Sequence, residues 1–223
     1  MPLILNVETA TQVCSVCLSR DGEVIDYRED TSGNSHARVL TTFINQLFTD
    51  NNLPMADLSA VAVSAGPGSY TGLRIGTSVA KGLCYALNIP LIAVPTLQAL
   101  AAGIQSKAGI QADACYMPMI DARRMDAYVA VYDSNLNEIE PAACLTLANE
   151  FENKLKTLGR IYIGGNAMEK CKKLFSLYTV TYTESVSCDS RNMVQLSRRK
   201  YHEAAFENTA YFEPHYMKEF TGR

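Results

Sequence analysis

Apolar residues open the chain in a nearly unbroken run, LILNVE (3–8), and then in two mixed runs, QVCSVCLSR (12–20) and EVIDYRE (23–29). Runs of this length and β-branched content predict three consecutive strands. Asp21-Gly22 stands between the second and third as a two-residue hairpin turn, since both residues accept a positive φ. The period then changes. Val39, Leu40, Phe43, Ile44, Leu47 and Phe48 recur every three or four residues and predict a helix over 34–52, with Asn34 or Ser35 as its cap. LSAVAVSA (58–65) predicts a fourth strand. The glycine-rich AGPGSYTGLRIG (65–76) opens a second helix reaching about residue 87. IPLIAV (89–94) is a fifth strand and TLQALAAGIQS (96–106) a third helix.

After residue 107 the succession returns. CYMPMID (115–121), MDAYVAVYD (125–133) and EIEPAACLT (138–146) read as strands, with the turn-like SNLN between the last two. LANEFENKLKTL (147–158) is a helix, RIYIGG (160–165) a strand and NAMEKCKKLF (166–175) a helix. LYTVTYT (177–183) is a strand, and SRNMVQLSRRKYHEAAF (190–206) a long final helix. The order β-β-β-α-β-α therefore occurs twice. In each copy the first strand ends in an acid, Glu8 or Asp121, and the fourth runs into glycine, Gly66 or Gly164. Three strands followed by alternating helix and strand imply an α/β fold with a mixed sheet covered by helices. Two such halves are the plan of the actin-like (ASKHA, ribonuclease H-like) architecture of actin, sugar kinases and Hsp70. The expected division is an N-terminal subdomain over 1–106 and a C-terminal one over 107–223, with the last helix a candidate to pack back on the first half.

Composition refines this picture. With 223 residues the chain can bury a real core. A net charge of -3 argues against unaided gripping of nucleic acid. The basic runs EKCKK (169–173) and RRK (198–200) sit in helical patterns, where a solvated face is the simpler reading. The N-terminal apolar run is short and lacks a basic flank, unlike a signal peptide, and no run is long enough to span a membrane. Seven cysteines without a framework suit a reducing cytoplasm. CSVC (14–17) lies in a strand, where Cys14 and Cys17 would point to opposite faces, so buried thiols are expected rather than a metal knuckle.

Chemistry is sparse. In an actin-like protein the first hairpin of each half contacts phosphate through backbone and small residues, beside an acid that holds magnesium or orients water. Here the acids are present, but ETATQV (8–13) and DARRMD (121–126) contain no glycine, and two arginines follow Asp121. IGGNAM (163–168) is a weak adenosine motif. The three histidines are His36, His202 and His215. A helical metal pair needs a second histidine four residues on, and Leu40 stands there. No HExxH or GxSxG motif occurs. In the glycine turn, Gly66 and Gly68 relax the backbone and Pro67 stiffens it. Gly72, Gly76 and Ala80 form a row four residues apart, which suits close packing of another backbone better than a phosphate site. Leu73, Ile75, Val79, Leu83, Ala86 and Leu87 fall on the face of that row, and Arg74, Thr77, Ser78, Lys81 and Tyr85 on the other.

AGPGSYTGLRIGTSVAKGL (65–83) and MPMIDARRMDAYVAVYD (117–133) resemble the bacterial TsaB (YeaZ) family, and the likeness runs from LNVETAT to EPHYMKEF (213–220). Glu8 departs from the aspartate more usual in that family, and Tyr70 from a phenylalanine. The resemblance implies an actin-like pseudoenzyme with no cofactor, needed for making threonylcarbamoyladenosine in tRNA. It implies a TsaD-like partner that carries the nucleotide and His-x-x-x-His metal sites and performs the transfer, and a TsaE-like ATPase. It also implies a homodimer when alone, and tRNA contact only through the complex. The alternatives are an ATP-dependent small-molecule kinase of the same fold, which would need glycine-bearing hairpins, and a metallopeptidase, which would need paired histidines.

A partner surface is expected on the first two helices. The arc from Val39 to Phe48 sweeps roughly 180°, wider than the ~100° stripe that one sheet requires. The expected contact set is His36, Val39, Leu40, Phe43, Ile44 and Leu47, rimmed by Arg74, Ser78, Lys81 and Tyr85.

Overall fold

The computed structural model describes residues 1–33, 36–147, 158–174 and 180–218. The caps Asn34 and Ser35, nearly all of the helix expected over 147–158, and residues 175–179 lie outside the described residues. Packing divides the chain into two compact units, Met1–Thr96 with Cys188–Tyr216, and Leu97–Ser187 with Met217–Arg223.

Each unit is built on a five-stranded mixed sheet, and the two sheets share one topology. The first contains β1 (Leu3–Glu8), β2 (Cys14–Arg20), β3 (Glu23–Asp30), β4 (Ala60–Ser64) and β5 (Leu91–Val94), in the order β3-β2-β1-β4-β5. The second contains β6 (Ala114–Asp121), β7 (Asp126–Tyr132), β8 (Glu138–Thr146), β9 (Arg160–Gly164) and β10 (Val180–Tyr182), in the order β10-β9-β6-β7-β8. In both, three strands form an antiparallel meander, and the fourth and fifth add in parallel beside the first. This is the duplicated α/β actin-like plan that element order implied. β1, β4 and β5 are buried along their whole length, which is why they read as apolar runs without alternation. Asp21 and Gly22 both take positive φ, 50° and 87°, and close the β2–β3 hairpin.

In the first unit α1 (His36–Asp50) packs on β2, β3 and α2 (Tyr70–Leu87). The Ser69 hydroxyl caps α2 by accepting the Gly72 N–H at 3.3 Å, and Asn88 ends it in the left-handed region. α3 (Thr96–Ala108) buries Leu97, Leu100, Ala101 and Ile104. α4 (Met168–Leu174) packs its Met168 and Cys171 into the core of the second unit.

The final helix is shorter than its apolar pattern predicts. It begins as a 3-10 turn, Ser190–Met193, and continues as α5 (Val194–His202). Ala204 turns left-handed at φ 49°, and Glu207 then pairs with Leu91 at the edge of β5. Backbone pairing to the sheet edge thus replaces the last helical turn. α5 is fixed over the first hairpin by polar contacts: Ser197 donates to the Asn6 side-chain oxygen Oδ1 at 2.6 Å, and Gln195 donates to the Gly22 carbonyl at 2.8 Å.

Candidate functional site

The end of β1 is where an actin-like protein would meet phosphate, and here it is closed by the chain itself. Glu8 is fully buried. Its Oε1 accepts the Ala10 N–H at 2.6 Å, while Oε2 has no hydrogen-bond partner. Burial pushes its carboxyl up from 4.5 to about 7; the Ala10 amide and Ser64 hydroxyl oppose the rise, and the nearby Asp189 charge adds to it. A buried acid that holds its proton near neutrality is a poor magnesium ligand, and this one anchors the turn that follows it.

That turn lies directly on the glycine row of α2. A Cβ at Gly68 would stand 2.4 Å from the Ala10 carbonyl oxygen. One at Gly72 would stand 2.1 Å from the Thr9 oxygen, and one at Gly76 2.3 Å from the Thr9 hydroxyl. The Ser69 N–H donates to the Ala10 carbonyl at 2.6 Å. The space a phosphate would need at the start of α2 holds residues 9 and 10, and the Ser69 and Gly72 amides there are committed within the chain. Gly66 takes φ 97° and meets the His215 carbonyl, and the Gly66–Pro67 peptide bond is cis. The glycines therefore serve backbone packing.

The corresponding acid of the second unit is exposed. Asp121 Oδ1 accepts the Arg123 N–H at 2.6 Å and pairs with Lys170 at 2.8 Å. Asn166, from the weak IGGNAM motif, accepts the Asp121 N–H at 2.8 Å. Both predicted hairpin acids thus act as anchors of their own turns. Among the described residues no three His, Cys, Asp or Glu side chains converge as a metal site requires. All seven cysteines are free, and burial pushes the Cys14 and Cys17 thiols up to about 12.

The expected contact set on α1 and α2 divides in two. Leu40, Ile44 and Leu47 are 0, 3 and 0% exposed and belong to the core of the first unit. The arc is wide because α1 is covered on two sides, by the sheet and by α2. Val39 and Phe43 are half-buried at the edge of that core, and His36 donates from Nε2 to the Thr11 carbonyl at 2.9 Å. On α2, Arg74, Ser78 and Tyr85 are exposed, Tyr85 by 87%. Two placements on the helical wheel are corrected: Thr77 is buried and Ala86 is exposed, because α2 sinks deepest toward its N-terminal half, where residues 9 and 10 lie on it. Lys81 is engaged by the chain's own C-terminal strap, donating to the carbonyls of Ala210 and Phe212 at 3.1 Å each. Farther along this strap, Tyr216 packs on Tyr70 with ring centroids 4.8 Å apart, and the Arg74 guanidinium lies over the Tyr70 ring, 4.9 Å from its centroid. The strap carries no periodic pattern, so nothing in the sequence announced it.

A family model described as TsaD, tRNA N6-adenosine threonylcarbamoyltransferase, matches residues 30–221. Proteins called tRNA threonylcarbamoyladenosine biosynthesis protein TsaB are similar to the chain. The Escherichia coli (strain K12) protein is 35% identical over 61% of this chain and 57% of its own length. The Bacillus subtilis (strain 168) protein is 34% identical over 67% and 64%. The chain belongs to the TsaB/YeaZ family. It spans less than two thirds of the length of those two relatives. Its fold is that of YeaZ from Pseudomonas aeruginosa, with a TM-score of 0.83 at 22% identity over 97% of this chain and all of that one. A more distant actin-like likeness is the activator of 2-hydroxyisocaproyl-CoA dehydratase from Clostridium difficile, solved with bound ADPNP, with a TM-score of 0.53 at 9% identity over 91% of this chain and 96% of that one. No helix among the described residues is long and apolar enough to cross a membrane.

Proposed function

We propose that this TsaB/YeaZ-family chain is a non-catalytic cytoplasmic subunit for threonylcarbamoyladenosine formation in tRNA, supporting a TsaD-like catalytic subunit together with a TsaE-like ATPase. The observation that carries the non-catalytic role is the seating of Thr9 and Ala10 on Gly68, Gly72 and Gly76. A hairpin held this tightly against a helix, beside a buried acid, has no room to receive a nucleotide phosphate. Leu40, fully buried four residues after His36, likewise supports the absence of a helical metal pair.

The partner surface in this reading is the exposed face of α1 and α2: His36, Val39 and Phe43 with Arg74, Ser78 and Tyr85, and Lys81 at its strapped edge. The same face serves a homodimer when the chain is alone and a heterodimer with the TsaD-like subunit, and tRNA is reached through that complex. The test is reconstitution from purified proteins of one cell. The full chain should co-elute with the TsaD-like subunit and be required, with the TsaE-like ATPase, for modified adenosine in a tRNA transcript. ATP turnover by the chain alone that disappears in Asp121→Ala would overturn the non-catalytic reading. Formation of the modified nucleoside without this chain would overturn its role.

A further inference from the structure

The β6–β7 hairpin of the second unit carries two adjacent arginines in a backbone conformation that ordinary side chains avoid. Arg123 and Arg124 have φ of 70° and 50°. Neither is glycine, asparagine or aspartate, so each is a strained position that the surrounding contacts must hold. Six hydrogen bonds from its neighbours hold the loop there. Asp121 Oδ1 accepts the Arg123 N–H at 2.6 Å, and the Asp126 N–H donates to the Arg123 carbonyl at 3.0 Å. Lys170 donates to both Asp121 Oδ1, at 2.8 Å, and the Arg124 carbonyl, at 2.6 Å. Lys218 donates to the Ala122 carbonyl at 2.8 Å and to Asp126 Oδ2 at 2.7 Å.

Two lysines and two aspartates therefore neutralise one another at the base of the hairpin, and the two guanidinium groups stand above it. Both arginines are exposed, and among the described residues neither side chain has a hydrogen bond or ion pair. Met125 beside them is 43% exposed. In a chain with a net charge of -3, this is a local excess of two positive charges on a braced loop.

We propose that Arg123 and Arg124 form a contact for the phosphodiester backbone of RNA. A guanidinium fork matches two phosphate oxygens, and a braced loop loses little entropy on binding. The amides of Ala122, Arg123 and Asp126 are committed within the hairpin, and the two guanidinium groups are the charged contacts it offers at its tip. Paired side-chain contacts with an apolar thioether alongside suit sugar-phosphate chain running past the tip. The choice of RNA over an acidic protein surface or a free nucleotide rests on the function proposed above.

The test uses the full chain and an unmodified tRNA transcript, followed by fluorescence anisotropy between about 25 and 200 mM salt. The isolated chain should bind weakly, with a salt dependence set by few phosphates. Arg123→Ala with Arg124→Ala should weaken binding about tenfold at the lowest salt. It should also flatten the plot of log K against log salt by about 1.4 to 1.8, the release expected from two phosphate contacts. The double lysine variant should keep the slope and lose only part of the affinity. Arg199→Ala with Lys200→Ala, on α5, should bind as wild type. Equal loss in that control, or unchanged binding in the double alanine variant with native circular dichroism, would overturn the proposal. Displacement of the tRNA by millimolar ATP at constant ionic strength would reassign the site to nucleotides. A double alanine variant that keeps tRNA but no longer co-elutes with the TsaD-like subunit would reassign it to a protein contact. Arginine-dependent tRNA binding by a wild-type chain that fails to associate with the TsaD-like subunit would leave this site standing and remove the function proposed above.

Discussion

Replacing Glu8 with glutamine should make the protein more stable in mild alkali and remove much of its response to pH. In the folded chain the carboxyl titrates near 7 against an ordinary value of 4.5, chiefly because it is fully buried. The unfolded chain gives up this proton first. Between those two values the folded state binds more protons, so stability is complete below about 4.5, falls as pH rises, and levels off above about 7. At about 1.4 kcal/mol for each pH unit separating the two values, the loss amounts to about 3 kcal/mol. Neighbouring Cys188 is also fully buried and raised well above its ordinary value, so it stays a neutral thiol throughout. Glutamine keeps the oxygen that accepts the Ala10 N–H but places an amide NH2 where Oε2 has no partner. That orphan donor costs about 1 kcal/mol. The net expectation at pH 8 is a gain of about 2 kcal/mol, with parity or a slight loss at pH 5. Urea unfolding of wild type and Glu8→Gln, followed by far-UV circular dichroism from pH 5 to 8.5, measures the difference. Parallel profiles would refute a buried, proton-holding Glu8.

Gly72→Ala should destabilise the first unit by about 1–3 kcal/mol, since its methyl group would meet backbone rather than a yielding side chain. Gly82→Ala in the same helix meets open space and should stabilise by about 0.5–1 kcal/mol, and opposite shifts in thermal melts would show both. Leu40→Asp or Ile44→Asp should unfold the first unit, because each places a charge in its core; Val39→Asp, Phe43→Asp or Tyr85→Ala should leave circular dichroism native and weaken association with the TsaD-like subunit in gel filtration. Lys81→Met should free the strap at Ala210 and Phe212, read as faster proteolysis near Tyr211.

The architecture was legible because it rests on local signals. Changes of apolar period mark β1 to α3, Asp21-Gly22 marks its hairpin, and the order of elements implies the order of strands. The glycine row also disclosed its use, since three small residues at helical spacing announce a close neighbour. The fate of the apolar arc on α1 was legible only in part. Helical period shows how wide an apolar arc is, but not how the sheet and α2 divide it, and Leu40, Ile44 and Leu47 went to the core. Long-range ties left no local trace. Lys81 looks like any solvated lysine until residues 208–216 cross it. The left-handed turn at Arg123 and Arg124 contains no glycine to reveal it. The ending of α5 depends on Glu207 meeting β5 rather than on the residues that stop it.

The first unit draws on both ends of the described chain, Met1–Thr96 and Cys188–Tyr216. Its order of synthesis follows from that. When β1 to β5 leave the ribosome, the Asn6 side-chain oxygen, the Ser15 hydroxyl and the Gly22 carbonyl still await Ser197, Ser190 and Gln195. Some ninety residues of the second unit must emerge before those partners do, so the first unit to begin is completed last. A ribosome that stops before Cys188 releases a first half in which β1, β2 and β5 lack the cover of the 3-10 turn and α5. Such a product is a substrate for chaperones and proteases, which makes delivery of the last segment a checkpoint on whole chains.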